Sequence, residues 1–306
     1  MDDSKIKPLN LFSNPPKLIT SISNFKNSTL VSSFDSSITL YSTETYYTQK
    51  NDVPVLKSIF YDNKIIYGDI QGKFGVIDID KKKPMTERIS VKGITSLCEY
   101  KNMVIAAGFD GELIFIENYE VRDRKNLDSK ILGLKIFDDL LCVTSNRFVK
   151  VLDLRIMKVI ATINSEKEIR TSIINKNNVF IGFVDGSISI NSISDQDIKK
   201  DKKVEIDLHS LKKETETFET ITTGFPVNGL YYADKMLYSV GSDKRLRVVD
   251  LLNKKSRTLG IFEESGICIC GDEDEKNIKI GVSISMEDDR FGKETIDGSI
   301  KVYSYD

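Results

Sequence analysis

One local pattern recurs along the chain and leaves few folds open to it. An apolar run gives way to small residues, then to a turn built on Asp or Asn, then to a second run in which apolar and polar residues alternate. The copies are Leu30–Tyr41 (LVSSFDSSITLY), Ile65–Asp78 (IIYGDIQGKFGVID), Val104–Glu117 (VIAAGFDGELIFIE), Leu141–Asp153 (LCVTSNRFVKVLD), Val179–Ile190 (VFIGFVDGSISI) and Leu237–Asp250 (LYSVGSDKRLRVVD). A seventh copy is split, with Ile278–Ser283 (IKIGVS) as its first half and Asp297–Tyr303 (DGSIKVY) as its second. Each copy reads as a β-hairpin. Asp-Gly and Asp-Ser suit a tight turn that needs positive φ, and period-two alternation is the mark of a half-buried strand.

The turn residues Asp35, Asp69, Asp110, Asn146 and Asp185 stand 34 to 41 residues apart. That period matches the ~40-residue, four-stranded blade of a propeller. It argues against a β-helix, whose rungs are shorter, and against a sandwich, which has no repeat. The expected fold is therefore all-β, a single seven-bladed β-propeller over residues 1–306. The stretch Ile6–Phe12 is placed to close the last blade, so that no sheet edge is left open to aggregation. The longer intervals are expected to hold loop insertions, at about 195–213 and 284–296.

Composition narrows the function. The formal net charge is −2 and charged residues make up 29%, so the basic excess of a general nucleic-acid binder is absent. Residues 1–10 carry no apolar secretory segment, and no apolar run approaches the ~20 residues that span a bilayer; an intracellular protein with no membrane association is expected. Cys98, Cys142, Cys268 and Cys270 lie in apolar runs. They read as small core residues, with a metal or redox pair at Cys268 and Cys270 as the competing reading. His209 is the one histidine of the chain, which rules out a multi-histidine metal site and leaves any Ser-His or Cys-His arrangement resting on a single residue. The turn aspartates recur at equivalent positions, so turn formation explains them without chemistry. No phosphate-binding loop, nucleophile elbow or zinc motif occurs. The chain is expected to be non-catalytic, with no cofactor and no metal. The tract Lys199–Lys203 reads as a solvated loop rather than a nucleic-acid contact.

The repeats resemble the WD-repeat superfamily, although the chain has no Trp. Within it, the order of several stretches resembles the mitotic-checkpoint propeller of the Bub-three type and its messenger-RNA-export paralogue of the Rae-one type. The stretches are Leu30–Tyr41, Val151–Met157 (VLDLRIM), Asp185-Gly186, Phe225–Gly229 (FPVNG), Gly241–Asp243 (GSD) and Ser285–Asp289 (SMEDD). Asn228-Gly229 and Val240–Asp243 look closer to the export paralogue, and an unrelated WD-repeat scaffold stays open. The checkpoint resemblance implies a monomeric propeller in a hetero-complex, in the nucleus and at kinetochores during mitosis, with the cytoplasm as a further place. It implies that a checkpoint kinase or pseudo-kinase binds through its GLEBS motif, and that a phosphorylated MELT peptide of a kinetochore scaffold binds as well. The export resemblance implies a nucleoporin GLEBS motif instead.

The same resemblance nominates a partner-binding set. Phe34 and Phe109 stand where the family has aromatic anchors, or else they pack between blades. Arg147 and Arg170 would receive acidic side chains, or else they are solvated. His209 falls in a stretch where the family binds phosphate, and Lys244 and Arg245 follow the sixth turn Asp. Two departures are visible: Ser187 replaces a family Arg, and Ser210 replaces the Arg after the histidine.

Overall fold

The structure, a computed structural model, describes residues 6–8, 18–25, 28–42, 46–79, 81, 84–193, 204–214, 220–271, 277–282 and 299–304. Every regular element among them is a β-strand. The chain forms two compact units, residues 1–134 with 267–306, and residues 135–266.

In the first unit, β1 (Ile6–Pro8) precedes the sheet β2 (Ile19–Phe25), β3 (Ser28–Ser33), β4 (Ser37–Tyr41) and β5 (Tyr46–Lys50). Next come β6 (Val55–Tyr61), β7 (Lys64–Asp69), β8 (Lys73–Asp78) and β9 (Pro84–Arg88), then β10 (Ile94–Tyr100), β11 (Met103–Gly108), β12 (Glu112–Glu117) and β13 (Glu120–Asn126). The boundary between units falls inside β14 (Ile131–Phe137), which continues into β15 (Leu140–Ser145), β16 (Phe148–Asp153) and β17 (Lys158–Asn164). The second unit adds β18 (Ile169–Ile174), β19 (Asn178–Phe183), β20 (Ser187–Ser192) and β21 (Val204–Asp207). It goes on with β22 (Ser210–Glu214) and β23 (Thr220–Gly224), then β24 (Val227–Ala233), β25 (Met236–Gly241), β26 (Arg245–Asp250) and β27 (Lys255–Ile261). The last strands are β28 (Gly266–Gly271), β29 (Asn277–Val282) and β30 (Ser299–Ser304).

Six sheets are antiparallel meanders of four consecutive strands: β2–β5, β6–β9, β10–β13, β14–β17, β18–β21 and β24–β27. These six are contiguous in sequence; a seventh four-stranded sheet is not. The C-terminal repeat supplies only β28, β29 and β30, and its fourth strand is β1, paired through Ile6 with Tyr303 and Pro8 with Lys301. The insertion expected at 195–213 is redrawn. From Val204 it is strand β21, the outer strand of its blade, and the true addition is the two-stranded ribbon β22–β23. Residues 194–203 and 283–298, which include the second expected insertion, lie outside the described residues.

The middle strands are buried on both faces rather than one. Leu113, Ile114, Phe115 and Ile116 are all interior, because neighbouring blades within a unit pack face to face. One such layer holds Ile66, Val76, Ile94, Leu97, Ala106 and Ile114. In the second unit, Phe180, Ile188, Val227, Leu230 and Leu237 form another. Fully burying each aliphatic side chain of this kind contributes about 1.5–3 kcal/mol. The two-sided burial explains why apolar runs, not strict alternation, mark these strands.

Five of the first strands carry a β-bulge near their start. The unpaired residues are Thr20, Leu56, Thr95, Arg170 and Asn228. Three of them reach the next blade: Thr20 Oγ1 donates to the Val55 carbonyl at 2.7 Å, Thr95 Oγ1 to Ile131 at 2.7 Å, and Asn228 Nδ2 to Gly266 at 3.0 Å. A bulge thus aims a polar side chain at a backbone acceptor that would otherwise go unpaired.

Candidate functional site

The turns between second and third strands show what the recurring aspartates do. Asp35 Oδ1 accepts from the Ser37 amide at 2.9 Å, Asp110 Oδ1 from Glu112 at 3.2 Å and Asp185 Oδ1 from Ser187 at 2.9 Å. The residue after each has positive φ: Ser36 at 73°, Gly111 at 89°, Gly186 at 86° and, after Asp243, Lys244 at 63°. In the second blade the positive-φ residue is Gly72, at 84°. The positional counterpart of the turn Asp is therefore Gln71, and Asp69 caps the turn from two residues earlier, accepting from Gln71 at 2.8 Å and Lys73 at 2.9 Å.

His209 lies in the loop leading out of β21 and is completely buried. Its Nδ1 lies 2.6 Å from Asp243 Oδ1 and its Nε2 2.8 Å from Ser239 Oγ. Each ring nitrogen is thus matched to a polar side chain that can hydrogen-bond to it. Asp243 also receives Arg247, whose Nη2 is 3.3 Å from Oδ2. The His209 amide donates to the Gly186 carbonyl at 2.9 Å, and the His209 carbonyl accepts from the Phe225 amide at 2.8 Å. One residue thus ties the Asp185-Gly186 turn, the start of β24 and the Asp243 turn together. In the first unit Ser90 holds the same place, donating from Oγ to Asp110 and from its amide to the Gly72 carbonyl at 3.1 Å. The expectation that His209 receives a partner's phosphate is therefore corrected: with no exposed surface and both ring nitrogens bonded, it cannot meet a ligand.

The remaining members of the expected set divide between the units. Phe34 and Phe109 occupy equivalent turn positions in the first unit and are half-buried. Their amides donate to Leu18 at 2.9 Å and to Gly93 at 3.0 Å, which holds the aromatic side chains at the turn edge. In the second unit, Arg147 sits in the β15–β16 turn, exposed, and donates from Nη1 to the Glu166 carbonyl. Arg170 is the exposed bulge residue of β18. Lys244 Nζ donates to the Glu263 carbonyl at 2.7 Å and lies 3.4 Å from Glu264 Oε2, and the half-buried Arg245 opens β26. These four cations stand on the second-to-third-strand turns or at the starts of first and third strands, which lie at one end of each four-stranded meander.

Sequence reading passed over Lys167. Its Nζ lies 2.9 Å from Asp185 Oδ2 and 3.0 Å from Ser187 Oγ, and it is also paired with Glu205. The hydrogen bond to Asp185 raises the Lys167 pKa. Burial alone would raise the Asp185 carboxyl, but hydrogen bonds from Lys167 and Ser187 outweigh it and hold the group below the usual range. Ser187, the departure from the family pattern, is buried and donates to Asp185 Oδ1 at 2.6 Å. The positive charge at this turn comes from the neighbouring loop instead.

Cys142 is buried against Ser172, and burial pushes its thiol up to about 12. It is expected to resist maleimide labelling at pH 8 in the folded chain and to label fully in denaturant, as mass spectrometry would show. Rapid native labelling would contradict its placement. Cys268 and Cys270 pack against Ile19, Ile22, Val31 and Tyr41. Among the described residues, no three His, Cys, Asp or Glu side chains come together as metal ligands.

Comparison with solved structures identifies the architecture. The WD40 repeats of RRP9 superpose with a TM-score of 0.77 at 11% identity, covering 99% of this chain and 98% of that one. The fold is that of a WD40 β-propeller. The WD40 propeller domain of Doa1 agrees, with a TM-score of 0.73, 10% identity and coverage of 98% and 97%. The computationally designed Ika8 protein also superposes, with a TM-score of 0.65, 17% identity and coverage of 98% and 99%. No protein-family model and no curated protein matches the chain. At these identities the likeness to the WD40 propellers of RRP9 and Doa1 is one of fold alone.

Proposed function

We propose that the chain is a non-catalytic scaffold that binds acidic protein segments at the turn end of its blades. The observation that carries this reading is the set of exposed cations in the second unit, Arg147 and Arg170, on turn and bulge positions. Preorganised guanidinium groups recognise carboxylate and phosphate through charge-assisted hydrogen bonds at little ordering cost. The half-buried Phe34 and Phe109 supply aromatic contact area in the first unit.

The narrower reading places this scaffold in the spindle checkpoint, in the nucleus and at kinetochores. There it would take the GLEBS segment of a checkpoint kinase or pseudo-kinase and dock on phosphorylated MELT motifs. The ordered stretches from Leu30–Tyr41 to Gly241–Asp243 support it. Because the charge of Lys167 is already matched by Asp185 and Glu205, acidic contacts on this reading fall to Arg147 and Arg170. Affinity purification of the tagged chain from mitotic cells, read by mass spectrometry, tests it. Recovery of a checkpoint kinase with a kinetochore scaffold is the expected result. Nucleoporins without kinetochore proteins would overturn the checkpoint reading in favour of the export paralogue, and neither set would withdraw both.

A further inference from the structure

The outer strand β17 carries less charge than most of the outer strands. It is hydrogen-bonded to β16 on one side and forms the edge of its sheet on the other. An open edge invites another strand, and proteins usually block it with charge or proline. Strand β9 opens on Pro84 and ends on Glu87 and Arg88; β13 reads EVRDRKN; β21 carries Glu205 and Asp207; β27 carries Lys255 and Arg257. Strands β5 (YYTQK) and β17 (KVIATIN) each carry a single charge, but among the described outer strands only β17 exposes two consecutive large aliphatic residues, Val159 and Ile160.

The contrast sharpens at the bulge. In β13 the unpaired residue is Arg122, held 3.7 Å from Glu117 and 3.4 Å from Glu120. At the same offset in β17 the unpaired residue is Ile160. It is 48% exposed, beside Val159 at 38% and Ile156 at 56%. Two β-branched aliphatic residues of this edge strand, and a third in the turn that leads into it, are thus solvent-exposed, where the blade before it presents an ion-paired arginine.

Charge indicates what covers this edge. The exposed Lys158 begins β17, and the exposed Glu166 lies just beyond its end. An antiparallel two-fold partner brings the Lys158 end of one strand to the Glu166 end of the other, twice. A two-fold centre near Ala161 sets Val159 opposite Ile163, with Lys158 diagonal to Glu166, within reach of long side chains. Such a surface is complementary to itself, as an isologous contact requires. We propose that β17 pairs antiparallel with β17 of a second copy of this chain, joining two β14–β17 sheets into one, in place of the monomer expected from the sequence. A seven-residue edge makes an interface of the small, transient class, so the dimer is concentration-dependent.

Sedimentation velocity of the purified full chain over a wide concentration series tests this. The wild type is expected to move from monomer to dimer, and Ile160→Lys to remain monomeric with an unchanged melting curve. Lys158→Glu and Glu166→Lys are each expected to weaken self-association roughly tenfold, because they set like charges together at both ends. The double swap restores it. Three outcomes overturn the proposal: a wild type that is monomeric throughout, which leaves the edge to a different protein; a dimer indifferent to Ile160→Lys; or charge swaps that fail to rescue each other.

Discussion

Replacing His209 with alanine is expected to lower the melting temperature by roughly 5–10 °C, the equivalent of about 3 kcal/mol. Two costs add. An imidazole-sized void opens where His209 was completely enclosed. The Ser239 hydroxyl and one oxygen of Asp243 lose their partners at sites closed to water. Arg247 still reaches Asp243, at 3.3 Å, so the carboxylate keeps a counter-charge and the loss stays below that of a fully stranded ion. His209→Asn retains an N–H donor that can face Asp243 and should recover part of the loss. Lys244→Ala, at a half-buried turn position, should stay within about 0.5 kcal/mol. Thermal unfolding of the three variants decides the matter. A His209→Ala melt as mild as that of Lys244→Ala would show that the histidine does not hold these loops together.

Gly186→Ala is expected to be at least as damaging, by about 3 kcal/mol or more. Positive φ alone does not explain this. Ser36 and Lys244 hold φ of 73° and 63° at equivalent turn positions with full side chains. What differs is the space. A Cβ on Gly186 would fall on the His209 carbonyl oxygen, 2.8 Å from its carbon and 2.9 Å from the Phe225 carbonyl oxygen. Backbone cannot swing aside as a side chain does, so the turn, the histidine loop and the start of β24 would have to separate. Conversely, Lys244→Gly relieves an unfavourable φ and should change stability by less than about 1 kcal/mol. Urea unfolding of the two variants makes the comparison. Equal losses at Gly186 and Lys244 would show that φ, not close approach, governs these turns.

Much of the fold was legible in hairpins such as Val104–Glu117, because a local turn signal and its flanking strands lie within a dozen residues. The aspartate turns followed from side-chain chemistry alone. Asp69 misled because it caps its turn from a different position, which a one-residue pattern cannot show. Strand β21 was hidden by the charged tract before it, although Val204 and Ile206 alternate with Glu205 and Asp207. At the site, Arg147 and Arg170 are exposed, whereas His209 is completely buried. Its partners, Ser239 and Asp243, lie 30 and 34 residues away. Only the packing of successive blades brings them together. A signal did exist: a lone histidine between the end of one blade and the start of the next, followed by a blade with Ser and Asp four residues apart.

The central claim, that this propeller binds acidic protein segments through cations at its turn end, is tested most directly by charge reversal. Arg147→Glu and Arg170→Glu would be combined in one tagged chain. The proteins it captures would be quantified against those captured by the wild type. Loss of the wild-type partners with an unchanged melting curve is the predicted result. Undiminished capture by the folded double variant would contradict the claim.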